Sequence, residues 1–224
     1  MCKLASTFSL RTFSTDEDLV KKRRNHIVQC ATKAFTKQGF SQTTMREIAK
    51  ACQMSSGNLY HYFGAKDEIL YSIINTATSL QAECLENFTR DLDSMSPTDA
   101  LVQLIRKLLQ WHDENQDVTL FTYQETKNLP RNARQDIFDS ECRIVSLFEK
   151  LLRSGIDSGE FTINHPKLMA HTIVTIGHTW ALRRWFLRRY WTFETFVNEQ
   201  TSAILKAVRR DTSAIAGDGS SNEG

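Results

Sequence analysis

The chain has 224 residues, 41% of them apolar, with only 3 Pro and 9 Gly. That is enough for one ordinary domain, or a small domain joined to a larger one, and too few turn formers for an all-β protein. Net charge is +2, yet residues 21–70 hold nine Lys/Arg against three Asp/Glu, while the segments on either side are mildly acidic; a basic head on an acidic body points to anion recognition at one end.

The chain opens with "MCKLASTFSLRTFST", rich in Ser and Thr and free of acids, and the segment 1–20 reads as a disordered arm. From there apolar residues recur at helical spacing and strict alternation is absent, so the fold class is all-α. A first helix over about 21–38 carries the stripe Ile27, Val28, Ala31, Phe35, and Gly39 sits where a left-handed cap ends it. A second begins at Thr44, whose hydroxyl caps while Glu47 reaches back in a capping box, and it ends near Cys52. A third covers Ser55 to Tyr62. Two short helices with a three-residue turn make a helix-turn-helix. A long fourth helix follows, apolar on one face to about Leu92. Ser96 caps the next, with Pro97 in its first turn, and it reaches Glu114. A short helix over 117–127, a long one from Pro130 to about Asp157, one from His165–Pro166 to Trp185, and a last over 192–210 complete the body, and "GDGSSNEG" reads as a disordered tail. The domains expected are an arm (1–20), a basic helix-turn-helix head (21–66), a larger helical body (67–210) and a tail (211–224). No apolar run is long enough to cross a bilayer, so no membrane span is expected.

The stretch "SSGNLYHYF" (55–63) carries the chemistry. A recognition helix must enter the DNA major groove with small or polar side chains outside and one or two apolar anchors inside. Leu59 and Phe63, four apart, face inward. Ser55 opens the helix, and Ser56, Gly57 and Asn58 face out. Asn pairs bidentately with adenine, and Gly admits close backbone approach. Tyr60, His61 and Tyr62 suit the groove walls, where hydroxyl and imidazole groups bond phosphates, although a small aromatic cluster would explain the two tyrosines as well. Lys66, at the start of the fourth helix, favours a phosphate.

On "AFTKQGFSQTTMREIAKAC", "SSGNLYHYF" and "KDEIL", residues 24–70 resemble the N-terminal domain of the tetracycline-repressor (TetR) family of bacterial regulators. The resemblance is strong over about a fifth of the chain; elsewhere only size and helix order are similar. It implies a homodimeric repressor in which Thr44 touches phosphate, Arg46 reaches a base, Ser56, Gly57 and Asn58 read bases, and Tyr60, His61, Tyr62 and Lys66 hold the backbone. One departure is Gln53, where the family usually has glycine in the turn. A non-Gly residue in a left-handed conformation costs on the order of 1 kcal/mol.

In the body, the helix over 165–185 is apolar nearly all round and must be covered on both sides. Ala170, Gly177 and Ala181 permit close helix approach. By the resemblance, this helix and the last one meet their copies in a dimer, whose two-fold symmetry suits a palindromic operator. Trp111, Phe121, Tyr123, Phe138, His171, Thr175, His178 and Trp180 are the candidate lining of an effector pocket, each also explicable as plain core. His171 and His178 are two helical turns apart, roughly 10.5 Å, so one metal ion cannot bridge them, and no metal is expected. "HDE" (112–114) reads as surface. "YQETKNLPRNARQ" and "WALRRWFLRRYWTFETF" resemble a subgroup that answers to acyl-CoA thioesters; Arg183, Arg184, Arg188 and Arg189 either meet CoA phosphates or form a surface rim.

No GxSxG, P-loop, HExxH or paired carboxylates on one helix face occur, so neither catalytic residues nor a cofactor is expected. Five scattered cysteines without a CxxC pair argue against a zinc site or a disulfide scaffold and fit a cytoplasmic protein. The reading is a ligand-responsive repressor that binds double-stranded DNA as a dimer and is released by a small apolar or acyl-CoA effector. The alternative is a ligand-independent regulator or an activator.

Overall fold

The computed structural model describes residues 17–92 and 94–209; most of the expected arm and the whole expected tail lie outside them. The elements in order are α1 (Glu17–Gln38), α2 (Met45–Ala51), α3 (Ser56–Tyr62), α4 (Lys66–Thr89), α5 (Pro97–Glu114), α6 (Gln116–Glu125), α7 (Arg131–Asp157), α8 (Pro166–Leu182), α9 (Arg184–Leu187) and α10 (Phe193–Val208). Short 3-10 turns follow α4 and α6. The fold is all-α, with one isolated bridge pairing Phe161 and Arg209 among the described residues.

The chain divides into two compact units. One holds the described residues up to Glu83 together with Asn115–Cys142; the other holds Cys84–Glu114 and the described residues from Arg143 onward.

In the first unit, α1, α2 and α3 pack on one another around Ile27, Ala31, Phe35, Ile48, Ala49 and Leu59, and α4 adds Ile69, Leu70, Ile73 and Ile74. Phe35 meets Phe40 edge-on at 5.2 Å and stacks on Phe121 of α6 at 6.1 Å. Every α1 member of this core lies on the stripe set by 3.6-residue periodicity. Gly39 has φ +85°, and its N–H donates to the Phe35 carbonyl, so the left-handed cap stops α1 where the sequence placed it.

In the second unit, α5 packs on α8 and α10. Gly177 makes the α5–α8 approach possible: a Cβ there would lie 3.0 Å from His112 Cδ2 and 3.1 Å from Leu108 Cγ. Trp180 is fully buried against Phe193 and Phe196, at 5.5 and 5.0 Å, and its Nε1–H donates to Asp113 Oδ1 at 2.7 Å. A buried indole is stable only when its one donor is satisfied, and Asp113 does this. The helix expected to run to Trp185 ends at Leu182. Arg183 leaves helical geometry (φ −112°, ψ 16°) before the single turn of α9.

Candidate nucleic-acid interface

The head is built from its caps. Thr44 is extended, its hydroxyl accepts the Glu47 N–H, and Glu47 Oε2 accepts both the Thr44 N–H at 2.7 Å and the Thr44 hydroxyl at 2.8 Å. These hydrogen bonds hold the Glu47 carboxyl below its ordinary range, the Thr44 backbone bond contributing most. Ser55 is the cap of α3 rather than its first residue; its hydroxyl accepts the Asn58 N–H at 3.1 Å. Two seven-residue helices are too short to persist alone, so these caps and the anchors beneath them fix their geometry.

The turn between them carries strain. Gln53 has φ 55°, and no other non-glycine residue among the described residues has positive φ. The Gln53 N–H donates to the Lys50 carbonyl and the Met54 N–H to the Ala49 carbonyl. The turn is therefore left-handed although it holds no glycine.

On α3, Leu59 alone is buried. Phe63 follows as its cap, 1% exposed, with the Arg24 guanidinium 4.3 Å above its ring. Burial lowers Arg24, while Glu68 opposes that shift. The remaining recognition residues are displayed. Gly57, Asn58 and His61 are exposed, Tyr60 is 52% exposed, and Ser56 and Tyr62 are half-buried. Tyr62 also packs against the head core, so both readings of that tyrosine describe part of it. A Cβ on Gly57 would meet nothing nearer than Ser55 Oγ at 4.0 Å, so the outer face there is open to a close-approaching surface. Thr44 and Arg46 lie at the start of α2, Thr44 exposed and Arg46 on the same outward turn. Lys66 makes a tertiary contact that its sequence position does not announce. Its Nζ donates to the Phe40 carbonyl at 2.8 Å and lies 4.3 Å over the Phe40 ring, which ties the start of α4 back to the α1–α2 connection.

The eight expected pocket residues are divided between the units. Phe121 is stacked in the first unit's core, whereas Tyr123 and Phe138 of that unit are 50% and 58% exposed. In the second unit His171 and Thr175 face outward, Trp111 is half-buried, and Trp180 is core. His178 meets His112 edge-to-face at 4.7 Å. Of "HDE", only Glu114 is exposed: His112 is 1% exposed, and half-buried Asp113 also accepts from Arg188 Nη2 at 3.1 Å. Burial drives both imidazoles neutral, His112 down to about 3 and His178 to about 4. An open cleft of about 390 Å³ lies elsewhere in this unit, walled by Leu92, Met95, Ala100, Leu147 and Leu151, with Lys150 at its edge. None of the eight lines it. Its walls come from the ends of α4, α5 and α7, which no local motif brings together. No group of three or more metal-ligating side chains occurs among the described residues.

A capped helix-turn-helix that displays small polar residues over a buried anchor defines a DNA-binding regulator. Residues 27–73 match the model for bacterial regulatory proteins of the tetR family, and residues 94–188 match a tetracyclin repressor-like C-terminal domain. The chain is 30% identical over 198 residues to the HTH-type transcriptional regulator HbdR of Aromatoleum sp. (strain CIB), covering 88% of this chain and 85% of that one. It is 27% identical to the HTH-type transcriptional repressor KstR2 of Rhodococcus jostii (strain RHA1), over 73% and 79% of the two chains. Among solved structures, a tetR-family protein from Rhodococcus RHA1 superposes with TM-score 0.75 at 22% identity, over 85% of this chain and 99% of that one. AibR, solved with isovaleryl coenzyme A and operator DNA, superposes with TM-score 0.68 at 21% identity, over 81% and 97%.

The chain belongs to the TetR family of helix-turn-helix transcriptional regulators, a family of DNA-binding proteins rather than enzymes. No helix among the described residues is long and apolar enough to cross a membrane.

Proposed function

We propose that the chain represses transcription as a homodimer on a palindromic operator and is released by a small apolar or acyl-CoA effector. The observation that carries this reading is the row Ser56–Gly57–Asn58, displayed at the capped start of α3 on the basic head. Asn58 and Ser56 supply donors and acceptors for base edges, and Gly57 lets the backbone come close. Thr44, Arg46, Tyr60, His61 and Tyr62 flank them as backbone contacts, with Arg46 reaching a base. Lys66 serves the interface by bracing the head.

The dimer forms through α8 and α10. Exposed Leu168, at 64%, with His171 and Thr175, gives α8 an outward face for a second copy. For the effector, the cleft edged by Lys150 has the size and apolar walls of a small-molecule site. A relative of the same fold has been solved with an acyl-CoA and operator DNA. Release follows if the effector binds better to a dimer whose recognition helices are out of step with the groove repeat; a ligand without that preference shifts nothing. A second reading, a regulator without an effector, is favoured by Phe121 and Trp180, which fill cores rather than line space.

The test is fluorescence anisotropy on duplexes from the DNA flanking the gene, with and without a panel of acyl-CoAs. Salt-sensitive, sequence-selective binding that one thioester abolishes is expected. Selective binding that no member alters would replace the gated repressor by the second reading.

A further inference from the structure

A cleft of about 330 Å³ runs between α5 and α10 in the second unit and shares no lining residue with the cleft edged by Lys150. Arg106, Lys206 and Arg209 stand along it, and none of its lining residues is acidic. The three cations are not equivalent. Arg106 is engaged: its Nη1 donates to Glu194 Oε2 at 2.8 Å and its Nη2 to Asn198 Oδ1 at 3.1 Å. Lys206, in the last turn of α10, and Arg209, its C-terminal cap, are exposed and form no ion pair among the described residues. A helix C-terminus attracts cations by itself, so these charges alone do not make a site. Thr201 adds the second feature. It lines the same cleft at 8% exposure, and its Oγ1 is buried without a hydrogen-bond partner. Helical threonines commonly donate to the carbonyl four residues back, as Thr175 and Thr179 do here. A buried hydroxyl that makes no such bond is unfavourable until something else accepts its proton.

We propose that this cleft binds a small phosphate monoester. Lys206 and Arg209 hold the phosphate: a dianion balances two neighbouring cations, which a carboxylate does not, and the guanidinium donates to two of its oxygens at once. Thr201 donates its hydroxyl proton to an oxygen of the ligand, and Ser202 brings a second hydroxyl beside it. Asn198, whose oxygen is taken by Arg106, keeps its amide N–H groups for the ligand's organic part. Val102 and Leu205 supply apolar wall. A bare phosphate would leave most of the 330 Å³ unfilled, so the ligand carries an organic body. It carries one anionic end: Asn198, beside the paired Arg106, lies eight residues before Lys206, roughly 12 Å along the helix.

The site stands apart from the head and from the reading of DNA. It is also compatible with a dimer through α10. Glu199, Ala203 and Ala207 are exposed along a separate i, i+4, i+8 line of that helix, so a second copy can meet α10 without covering the cleft.

The experiment is calorimetric titration of the full chain with glycerol 3-phosphate, ribose 5-phosphate and AMP, with inorganic phosphate, sulfate and ribonate as controls. Saturable one-to-one binding of at least one monoester, tighter than any control, is expected. Lys206→Gln and Arg209→Gln, at exposed positions, should each weaken it by about tenfold. Thr201→Val should weaken it as well, yet leave the empty chain as stable to urea as wild type or more so, because it removes a hydroxyl that pairs with nothing. A destabilised empty chain, or unchanged affinity, would overturn the role of Thr201. Inorganic phosphate or sulfate bound as tightly as the monoesters would mean a bare anion site, and ribonate bound as tightly would remove the phosphate preference; either overturns the proposal. So would binding that both cation variants leave unchanged, no binding of any monoester, or a fall in duplex affinity in those variants, which would assign the two cations to the DNA backbone.

Discussion

Helices α3 and α8 are held in opposite ways. Helix α3 buries only Leu59 of its seven residues and depends on a cap at each end, whereas α8 buries six of its seventeen, down to Trp180 and Ala181. A helix fixed by its ends and a single anchor leaves most of its surface for another molecule. A helix fixed by its core spends that surface on its own fold. Substitutions in the head should therefore change what is bound, and substitutions in the body should change whether the chain is folded.

The largest effect is expected at Trp180→Ala, which empties the space beside Phe193 and Phe196 and removes one of the donors to Asp113. A loss of about 3–5 kcal/mol is predicted in chemical denaturation. A loss under about 1 kcal/mol would mean that α8 is not anchored as described.

Acid separates the regions next. The folded-state pKa values of His112 and His178 lie below the ordinary 6.5, so the unfolded chain binds more protons as pH falls. Their contribution is whole above pH 6.5 and is lost between 6.5 and about 3–4, by an amount on the order of a few kcal/mol. Glu47 in the head is also depressed, but from the carboxylate range. Its contribution is lost only as pH falls through that lower range. Urea titrations across pH should show an acid slope starting near 6.5 that His112→Leu flattens; an unchanged slope would remove the buried pair as its cause.

At Thr44→Ala the capping box is lost. A cost of about 1 kcal/mol in stability is expected, and the proposed phosphate contact of Thr44 predicts a loss of DNA affinity beyond it. Gln53→Gly should have the smallest effect, and in the opposite direction. Relief of the left-handed strain, offset by glycine's entropy, should raise stability by less than about 1 kcal/mol. Destabilisation there would show that the Gln53 side chain has a role that its backbone does not reveal.

The same contrast explains what the sequence made legible. Gly39, the Thr44–Glu47 box and the strained Gln53 are local devices, written close in sequence to where they act, and each stands in the structure where the chain put it; Ser55 is one position off, a cap rather than the first helical residue. The Lys66 contact was not legible because its partner, the Phe40 carbonyl, lies in the distant α1–α2 connection. Phe121 of α6 is stacked on Phe35 of α1, and His112 of α5 is buried by α8, which begins only at Pro166. Helical spacing says which face of an element is apolar, not which distant element covers it. The body's helices were therefore readable, and its cleft was not.

The most direct test compares wild type with Asn58→Ala on the selected duplex and on a scrambled duplex of equal length, at several salt concentrations. The account predicts that the variant folds normally, keeps its salt slope and its affinity for the scrambled duplex, and loses about 1–3 kcal/mol of discrimination. Discrimination equal to wild type would contradict the assignment of base reading to the start of α3.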